Sequence, residues 1–256
     1  MKVAIIGKGQ IGREIEKKMK EKAIDEILTV DINPDTKPDY PTIKEFNRKE
    51  LAKVYIVCVL TQEQLISVVS DIDLSNKPLI SIETACNPDS YKKVKNIVKD
   101  KANVIVFQER WNPNDMYHDI FNQPRVMGGD IEKGREFYIR YMMYENIIVT
   151  DKPELASLCK IVENAYRFVD IAIAEELKLL TGDDFDELRR LMNTKWNIDL
   201  PEARDGIGGH CLPKDIKLVN EYFPRNLFFK NAMVIDNLYK EFKKHVKILT
   251  EGGFYL

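Results

Sequence analysis

The sequence has no excess of positive charge, few cysteines and histidines, and no long hydrophobic run. Its 39 lysines and arginines face 41 aspartates and glutamates, so it lacks the surplus of cations that nucleic-acid binders use against phosphates. No apolar stretch approaches the ~18 residues that a membrane-spanning helix needs. The opening run from Met1 to Ile6 already has the pattern of a strand, which leaves no room for a signal peptide. These absences predict a cytoplasmic protein that binds neither nucleic acid nor a membrane.

The four cysteines are widely spaced and include no CxxC pair, so a disulfide-rich scaffold is excluded. Three histidines without ligand spacing argue against a zinc site, and we expect no bound metal. We interpret the cysteines other than Cys211 as packed core residues. Cys58 lies within an apolar strand pattern, and Cys159 lies within a helical one.

What is present is enough apolar material for a core. Hydrophobic residues make up 44% of the 256 residues and charged residues 31%, which excludes a wholly disordered chain and fits one large domain or two modest ones. The first half alternates short β-branched runs with amphipathic helical stretches, which predicts a Rossmann-type parallel sheet covered by helices. The predicted strands are Lys2–Ile6, Glu26–Val30, Val54–Leu60, Leu79–Glu83, Val104–Phe107 and Ile147–Thr150. The predicted helices between them are Ile11–Lys22, Ile43–Ala52, Gln62–Val69, Asp89–Val98 and Lys133–Tyr144.

Near Asp151 the pattern changes to helix alone. A long helix is predicted over Pro153–Leu180, because Pro153 suits a first helical turn and Gly182 follows the end. Further helices are predicted at Asp184–Asn193 and Asn231–Leu249. We therefore predict an α/β domain over residues 1–150 and a mainly helical domain over residues 151–256.

The glycine motif Gly7-Lys8-Gly9-Gln10-Ile11-Gly12 stands between the first predicted strand and a helix. In this context the first glycine permits a tight turn, the second lets a pyrophosphate approach the backbone, and the third lets helix and strand pack closely. Asp31 ends the second predicted strand, where an acid would accept hydrogen bonds from an adenosine ribose and repel a 2′-phosphate. The first domain is therefore predicted to bind NAD rather than NADP.

Lys160 and Asn164 are four residues apart in the predicted long helix, so they share one of its faces. Their neighbours are mostly apolar, which would place Lys160 beside a packed surface. A lysine there can donate to a developing oxyanion or act in proton transfer, and an amide one turn along can fix its geometry. The same pair is also typical of a solvated helix face, and the spacing alone favours that simpler interpretation.

The segment from Gly206 to Asp215 places three glycines in four positions, which disfavours the interior of a helix or strand. The pattern indicates a loop shaped for close contact with a ligand. Cys211 follows these glycines and stands beside His210, with Lys214 and Asp215 near enough in sequence to tune a thiolate. From this segment alone, Cys211 is equally a nucleophile or a buried hydrophobic residue.

Taken in order, these segments resemble the UDP-glucose/GDP-mannose 6-dehydrogenase family over nearly the whole chain. Two of the matching motifs are specific, and their occurrence in this order is stronger than either alone: Lys160-Ile161-Val162-Glu163-Asn164-Ala165-Tyr166-Arg167 and Gly208-Gly209-His210-Cys211-Leu212-Pro213-Lys214-Asp215. The others are the glycine motif, Glu109-Arg110 and Asn122-Gln123-Pro124-Arg125-Val126-Met127-Gly128-Gly129.

The resemblance implies an NAD-dependent enzyme that oxidises a sugar C6 alcohol, by way of an aldehyde and a cysteine thiohemiacetal, to a carboxylate. It implies that Cys211 is the nucleophile and that Lys160 and Asn164 stabilise the oxyanion. It further implies that Asp215 assists proton transfer. Thr84 and Glu109 would position water or act as acid or base. The expected cofactor contacts are Gly7, Gly9, Gln10, Ile11, Gly12, Asp31 and Thr61. It also implies a homodimer built on the helical domain.

The sequence departs from the family in length and in several proline signatures. Members carry a further C-terminal nucleotide-binding domain, which we expect this chain to lack. Leu60-Thr61-Gln62 replaces Pro-Thr-Pro, and Phe107-Gln108 replaces Ser-Pro before Glu109. These changes concern the sugar-nucleotide substrate more than the cofactor.

Two other functions stay open. One is a simple two-electron hydroxyacid or sugar-acid dehydrogenase, because related families also use a Lys-x-x-x-Asn helix. The other is a non-catalytic NAD-binding subunit or sensor, in which the motifs persist without turnover. Cys211 discriminates among the three, since a two-electron enzyme has no need of it.

Overall fold

The structure, a computed structural model, describes residues 1–22, 24, 26–112, 117 and 120–251. It divides into two compact units, Met1–Lys160 and a second that begins at Ile161. Within the described residues, no helix is both long enough and apolar enough to cross a membrane.

The first unit contains one sheet of seven described strands. In chain order these are β1 (Lys2–Ile6), β2 (Glu26–Val30), β3 (Val54–Val57), β4 (Leu79–Ile82), β5 (Asn103–Val106), β6 (Arg125–Gly129) and β7 (Ile147–Thr150). They are arranged in the order β2-β1-β3-β4-β5-β6-β7, and all neighbours are parallel except β5 and β6. The strand order reverses between β1 and β3, and such a reversal opens a crevice beyond the carboxyl ends of the strands.

Five helices connect these strands. They are α1 (Gln10–Lys20), α2 (Ile43–Asn47), α3 (Gln62–Asp71), α4 (Pro88–Val98) and α5 (Ile131–Arg140). Side chains alternate between the two faces of the sheet, so along β1 Ala4 packs in one apolar layer and Ile5 in the other. Residues of α2, α3 and α4 fill the first layer, and residues of α1 and α5 fill the second. The Rossmann-type α/β prediction is confirmed.

All six predicted strands are present, and most of their ends differ by at most one residue. The strand predicted over Val54–Leu60 is shorter, because the chain leaves the sheet after Val57 to begin α3, and Leu60 is exposed. Cys58 therefore lies just beyond the strand rather than within it. The strand β6 was not predicted, because its paired glycines disfavour a strand by local propensity. Gly129 adopts φ +105° there, and a side chain at this position would clash with Val104 of β5.

Two of the predicted helices end early. The helix expected over Ile43–Ala52 stops at Asn47, where backbone N–H groups of Lys49 and Glu50 both turn back to the carbonyl of Phe46. The helix expected over Lys133–Tyr144 lies instead at Ile131–Arg140, because the backbone turns left-handed at Met143. The other helix ends differ from the predicted ones by at most three residues.

The second unit is helical throughout its described secondary structure. The long helix α6 (Pro153–Thr181) begins in the first unit, and α7 (Phe185–Met192), α8 (Cys211–Tyr222) and α9 (Phe228–Glu251) follow. Gly182 follows α6 with φ +58°, as its position in the sequence predicted. The helix α8 was not predicted. The predicted loop is present up to His210, but the residues from Cys211 onward form a helix.

Candidate active site

The glycine motif forms the turn from β1 to α1, and its outer glycines are required by packing. Gly7 has φ +92°, and a Cβ there would lie 2.5 Å from the Cys58 carbonyl oxygen. A Cβ on Gly12 would overlap the carbonyl oxygen of Gly7. A Cβ on Gly9, by contrast, would meet nothing within 4 Å, so space remains open beside the backbone at the middle of the turn.

The amino end of α1 has the electrostatics of an anion site. The helix begins at Gln10 with Gly9 as its N-cap, no side chain caps it, and its first turn contains no acidic residue. The first amides, including that of Ile11, and the positive end of the helix dipole therefore remain available to a phosphate. This arrangement fits the pyrophosphate of a dinucleotide, as the motif predicted.

Asp31 lies directly after β2, and its carboxylate is fixed by the backbone. The N–H of Lys8 donates to Oδ2 at 2.5 Å, and the N–H of Asn33 donates to Oδ1 at 2.8 Å. The acid is thus held against the glycine turn, with lone pairs left over for a ribose hydroxyl. Thr61, another expected cofactor contact, is the N-cap of α3 and forms a capping box with Gln64 beside the strand-order reversal.

Thr84 and Glu109 follow the carboxyl ends of β4 and β5, at the same edge of the sheet as the glycine motif. The Thr84 hydroxyl is buried and donates to the Val57 carbonyl at 3.1 Å. Glu109 is half-buried and accepts a hydrogen bond from the Trp111 N–H at 2.5 Å. Thr84 is thus tied to the sheet, whereas one carboxylate oxygen of Glu109 holds the following turn.

A buried ion pair that was not predicted from the sequence involves Glu83, the residue before Thr84. Arg125 binds Glu83 and the Phe107 carbonyl, both side chains of the pair are fully buried, and the guanidinium stacks 4.0 Å from the centre of the Phe107 ring. Tyr138 also donates to Glu83 at 2.7 Å. Burial raises the pKa of Glu83, and the positive charge of Arg125 opposes this rise. Arg125 Nε also donates to the Gln108 carbonyl at 3.4 Å, so the network joins the residues that immediately precede Thr84 and Glu109. No local sequence signal reveals it.

In the second unit, a second polar cluster forms around Asp215. Its carboxylate is 1% exposed, accepts a hydrogen bond from the Asn164 amide at 2.6 Å, and pairs with the Lys214 ammonium at 2.5 Å. Asn164 therefore does not lie on a solvated face, and the simpler interpretation of the Lys/Asn pair is wrong for this residue. Lys160, half-buried, lies one turn earlier on α6.

Cys211 is the first residue of α8, one helical turn before Asp215, and its side chain is exposed. The interpretation of Cys211 as a buried hydrophobic residue is therefore wrong. The other cysteines differ from it: Cys86 is buried, and Cys58 and Cys159 are half-buried. Burial raises the pKa of Cys58 well above its ordinary value, which keeps that thiol protonated.

No group of three or more metal-ligating side chains occurs among the residues that the structure describes.

Comparisons with known proteins relate the chain to one family. Residues 154–233 match the central domain of the UDP-glucose/GDP-mannose dehydrogenase family. The chain is 24% identical to UDP-N-acetyl-D-mannosamine dehydrogenase of Methanococcus vannielii over 92% of this chain, and it spans 65% of that relative's length. The corresponding match to the Pyrococcus horikoshii enzyme is 28% identical, over 64% of this chain and 45% of the relative.

Solved structures of such enzymes share the fold. The structure of the UDP-D-ManNAc dehydrogenase from Pyrococcus horikoshii has a TM-score of 0.81 at 20% identity, covering 99% of this chain and 72% of that one. A UDP-glucose dehydrogenase from Pyrobaculum islandicum has a TM-score of 0.78 at 16% identity, covering 98% and 70%. The resemblance inferred from the motifs is confirmed.

Proposed function

We propose that the chain is an NAD-dependent oxidoreductase that oxidises the primary alcohol of a nucleotide sugar to a carboxylate. The match of residues 154–233 to the central domain of the UDP-glucose/GDP-mannose dehydrogenase family supports this proposal. The observation that carries the proposal is the exposed Cys211 at the start of α8, one turn from the Asp215–Asn164 hydrogen bond. The names of the relatives make UDP-N-acetyl-D-mannosamine the first substrate to test. We further propose that residues 1–150 bind the cofactor and that residues 151–256 form the second domain.

The residues of the first unit fit NAD. The open space at Gly9 and the uncapped start of α1 suit a pyrophosphate, and the fixed carboxylate of Asp31 suits ribose hydroxyls. When bound, NAD would accept the hydride at each of the two oxidations. Gln10, Ile11 and Thr61 are proposed as further contacts, in keeping with their places at the helix start and at the strand-order reversal.

The chemistry we propose for the side chains begins with the alcohol proton, whose removal is assisted by Asp215. Lys160 and Asn164 donate to the oxygen as negative charge develops on it. The Cys211 sulfur then adds to the aldehyde carbon and forms a thiohemiacetal, whose oxidation gives a thioester. Water, positioned with the help of Thr84 and Glu109, breaks the carbon–sulfur bond and returns the thiol. One alcohol, two NAD⁺ and one water thus yield one carboxylate, two NADH and three protons.

The test is an assay of the purified chain with NAD⁺ and a panel of UDP- and GDP-sugars that includes UDP-N-acetyl-D-mannosamine. We expect NADH together with a product of uronate mass. One NADH per substrate and a ketone or aldehyde product would favour the simple dehydrogenase. Tight NAD binding without turnover of any sugar nucleotide or hydroxyacid would favour the non-catalytic subunit.

A further inference from the structure

The loop before Cys211 is held by side chains of α9. The Tyr239 hydroxyl donates to the carbonyl of Arg204 at 2.9 Å and lies 3.3 Å from that of Ala203. Farther along the loop, Asp236 and Lys240 bind the backbone of Ile207. One face of a single helix therefore fixes the loop at several successive points.

Asp236 and Lys240 bind both backbone polar groups of Ile207. The Ile207 N–H donates to Asp236 Oδ1 at 2.7 Å, and the Lys240 ammonium donates to the Ile207 carbonyl at 2.8 Å. The same ammonium pairs with Asp236 Oδ2 at 2.7 Å. Asp236 is 4% exposed and Ile207 3% exposed, so the hydrogen bond between them is shielded from water, whereas the Lys240 side chain is partly exposed.

The lysine stem also shapes the loop. Gly206 has φ +92°, and the space that a Cβ would need is filled by the aliphatic carbons of Lys240. Lys240 thus contributes packing through its stem and hydrogen bonds through its ammonium. The two contributions can be separated, because methionine keeps most of the stem and lacks the charge.

Between this anchor and Cys211, little else restrains the chain. A Cβ on Gly208 or on Gly209 would meet nothing within 4 Å, and Gly209 has φ +76°. His210 is exposed. Two glycines without side-chain packing are conformationally permissive, so the position of Cys211 depends on the two ends of the segment: α8 on one side and Ile207 on the other.

We propose that Asp236 and Lys240 are positioning residues for Cys211, which act by fixing the backbone at Ile207. This inference rests on the proposed function, in which Cys211 is the nucleophile. A reacting thiol must be held close to its near-attack geometry. Without the contacts at Ile207, the chain before Cys211 would be restrained only by the flexible glycines Gly208 and Gly209.

The first experiment measures hydrogen exchange at the Ile207 amide in the full chain. Lys240→Met keeps the stem against Gly206, Asp236→Ala removes the acceptor, and Asp236→Asn retains an acceptor oxygen. We expect exchange to accelerate at least about tenfold in Asp236→Ala and in Lys240→Met, and less in Asp236→Asn. The matched control is Lys244→Met, which removes an exposed lysine of the same helix.

The second experiment measures turnover of UDP-N-acetyl-D-mannosamine. We expect kcat to fall about tenfold to a hundredfold in Lys240→Met and Asp236→Ala, with the dissociation constant of NAD unchanged and partial recovery in Asp236→Asn. Thermal midpoints measured in parallel identify any variant that fails to fold. If Asp236→Ala fails to fold, the comparison of Lys240→Met with Lys244→Met decides.

Unchanged exchange at Ile207 in folded Lys240→Met and Asp236→Ala would overturn the anchor. Faster exchange with undiminished kcat would overturn the positioning role. A parent protein without turnover would defeat the proposed function instead, and exchange over residues 207–212 would still decide whether the anchor restrains the cysteine segment.

Discussion

The buried and half-buried carboxylates of this molecule differ in their hydrogen-bond partners. Asp31 is held by two backbone N–H donors, Asp215 by an amide and an ammonium, and Asp236 by an amide N–H and a lysine. Glu175 differs from these: it is fully buried, and neither of its carboxylate oxygens has a hydrogen-bond partner. Hydrogen-bond donors and cations stabilise the ionised form of the first three acids, whereas burial without a partner favours the neutral form of Glu175.

Asp31 should determine the choice of cofactor. We expect NAD to bind at least about tenfold more tightly than NADP, a difference of ~1.4 kcal/mol, because the carboxylate repels a 2′-phosphate. Asp31→Asn should narrow this gap, while Asp35→Asn, which changes an exposed acid nearby, should leave it intact. Calorimetry gives the constants. Equal affinities for NAD and NADP in the parent would contradict the role of Asp31.

Glu175 should make stability depend on pH. Burial raises its pKa to about 7, as does the charge of Asp236, while Lys240 opposes the rise, and Tyr239 is the other titratable group coupled to it. The pKa of Glu175 is higher in the folded protein than its ordinary value of 4.5. Its contribution to the stability of the fold is therefore fully present below pH ~4.5 and is lost as the pH rises through ~7. The free energy of unfolding, measured with urea, should therefore fall by roughly 3 kcal/mol over this window relative to Glu175→Gln. Parallel pH profiles of the two proteins would contradict the prediction.

Among the helices, α6 carries the residues proposed to stabilise the oxyanion. Lys160→Ala should abolish both oxidations, because the same donor serves each oxygen as it gains charge. Lys178→Ala removes another lysine of α6, several turns away, and should retain activity. NADH formation measures both variants. Normal turnover by Lys160→Ala would remove this residue from the mechanism.

Elements encoded by local pattern could be predicted, and elements fixed by distant contacts could not. The β1–α1–β2 segment has local signals, namely apolar runs, a glycine turn and a terminal acid. The proposed cofactor site could therefore be predicted from the sequence. The strand β6 and the helix α8 were not, because glycines within or before them mask the pattern. The buried polar contacts could not be predicted for another reason, because their partners are far apart in the sequence. Ile207 and Asp236 are 29 residues apart, and Glu83 and Arg125 are 42 apart.

For the molecule as a whole, the exposed apolar side chains of α6 are the feature that calls for a partner. Tyr166, Ile173 and Leu180 are 64%, 41% and 75% exposed and recur every seven residues, which places them along one stripe of the helix. Such a stripe fits the homodimer that the family resemblance implied, and we propose this assembly for the helical domain.

Ile173→Glu should weaken that dimer, since it places a charge within the apolar stripe. Light scattering at micromolar concentration should give the mass of two chains for the parent and a lower mass for the variant. Lys217→Glu, an exposed change on α8, is the control and should remain dimeric. A strictly monomeric parent would contradict the proposed assembly.

The central claim is covalent capture by Cys211, and the NADH count per substrate in Cys211→Ser tests it most directly. The parent should yield two NADH and one carboxylate from each alcohol. The serine variant should bind NAD normally, yield at most one NADH, and form no carboxylate, because the thiol that holds the aldehyde for the second oxidation is gone. Product mass and NADH are measured in the same reaction. Two NADH and a full yield of carboxylate from Cys211→Ser would contradict the account.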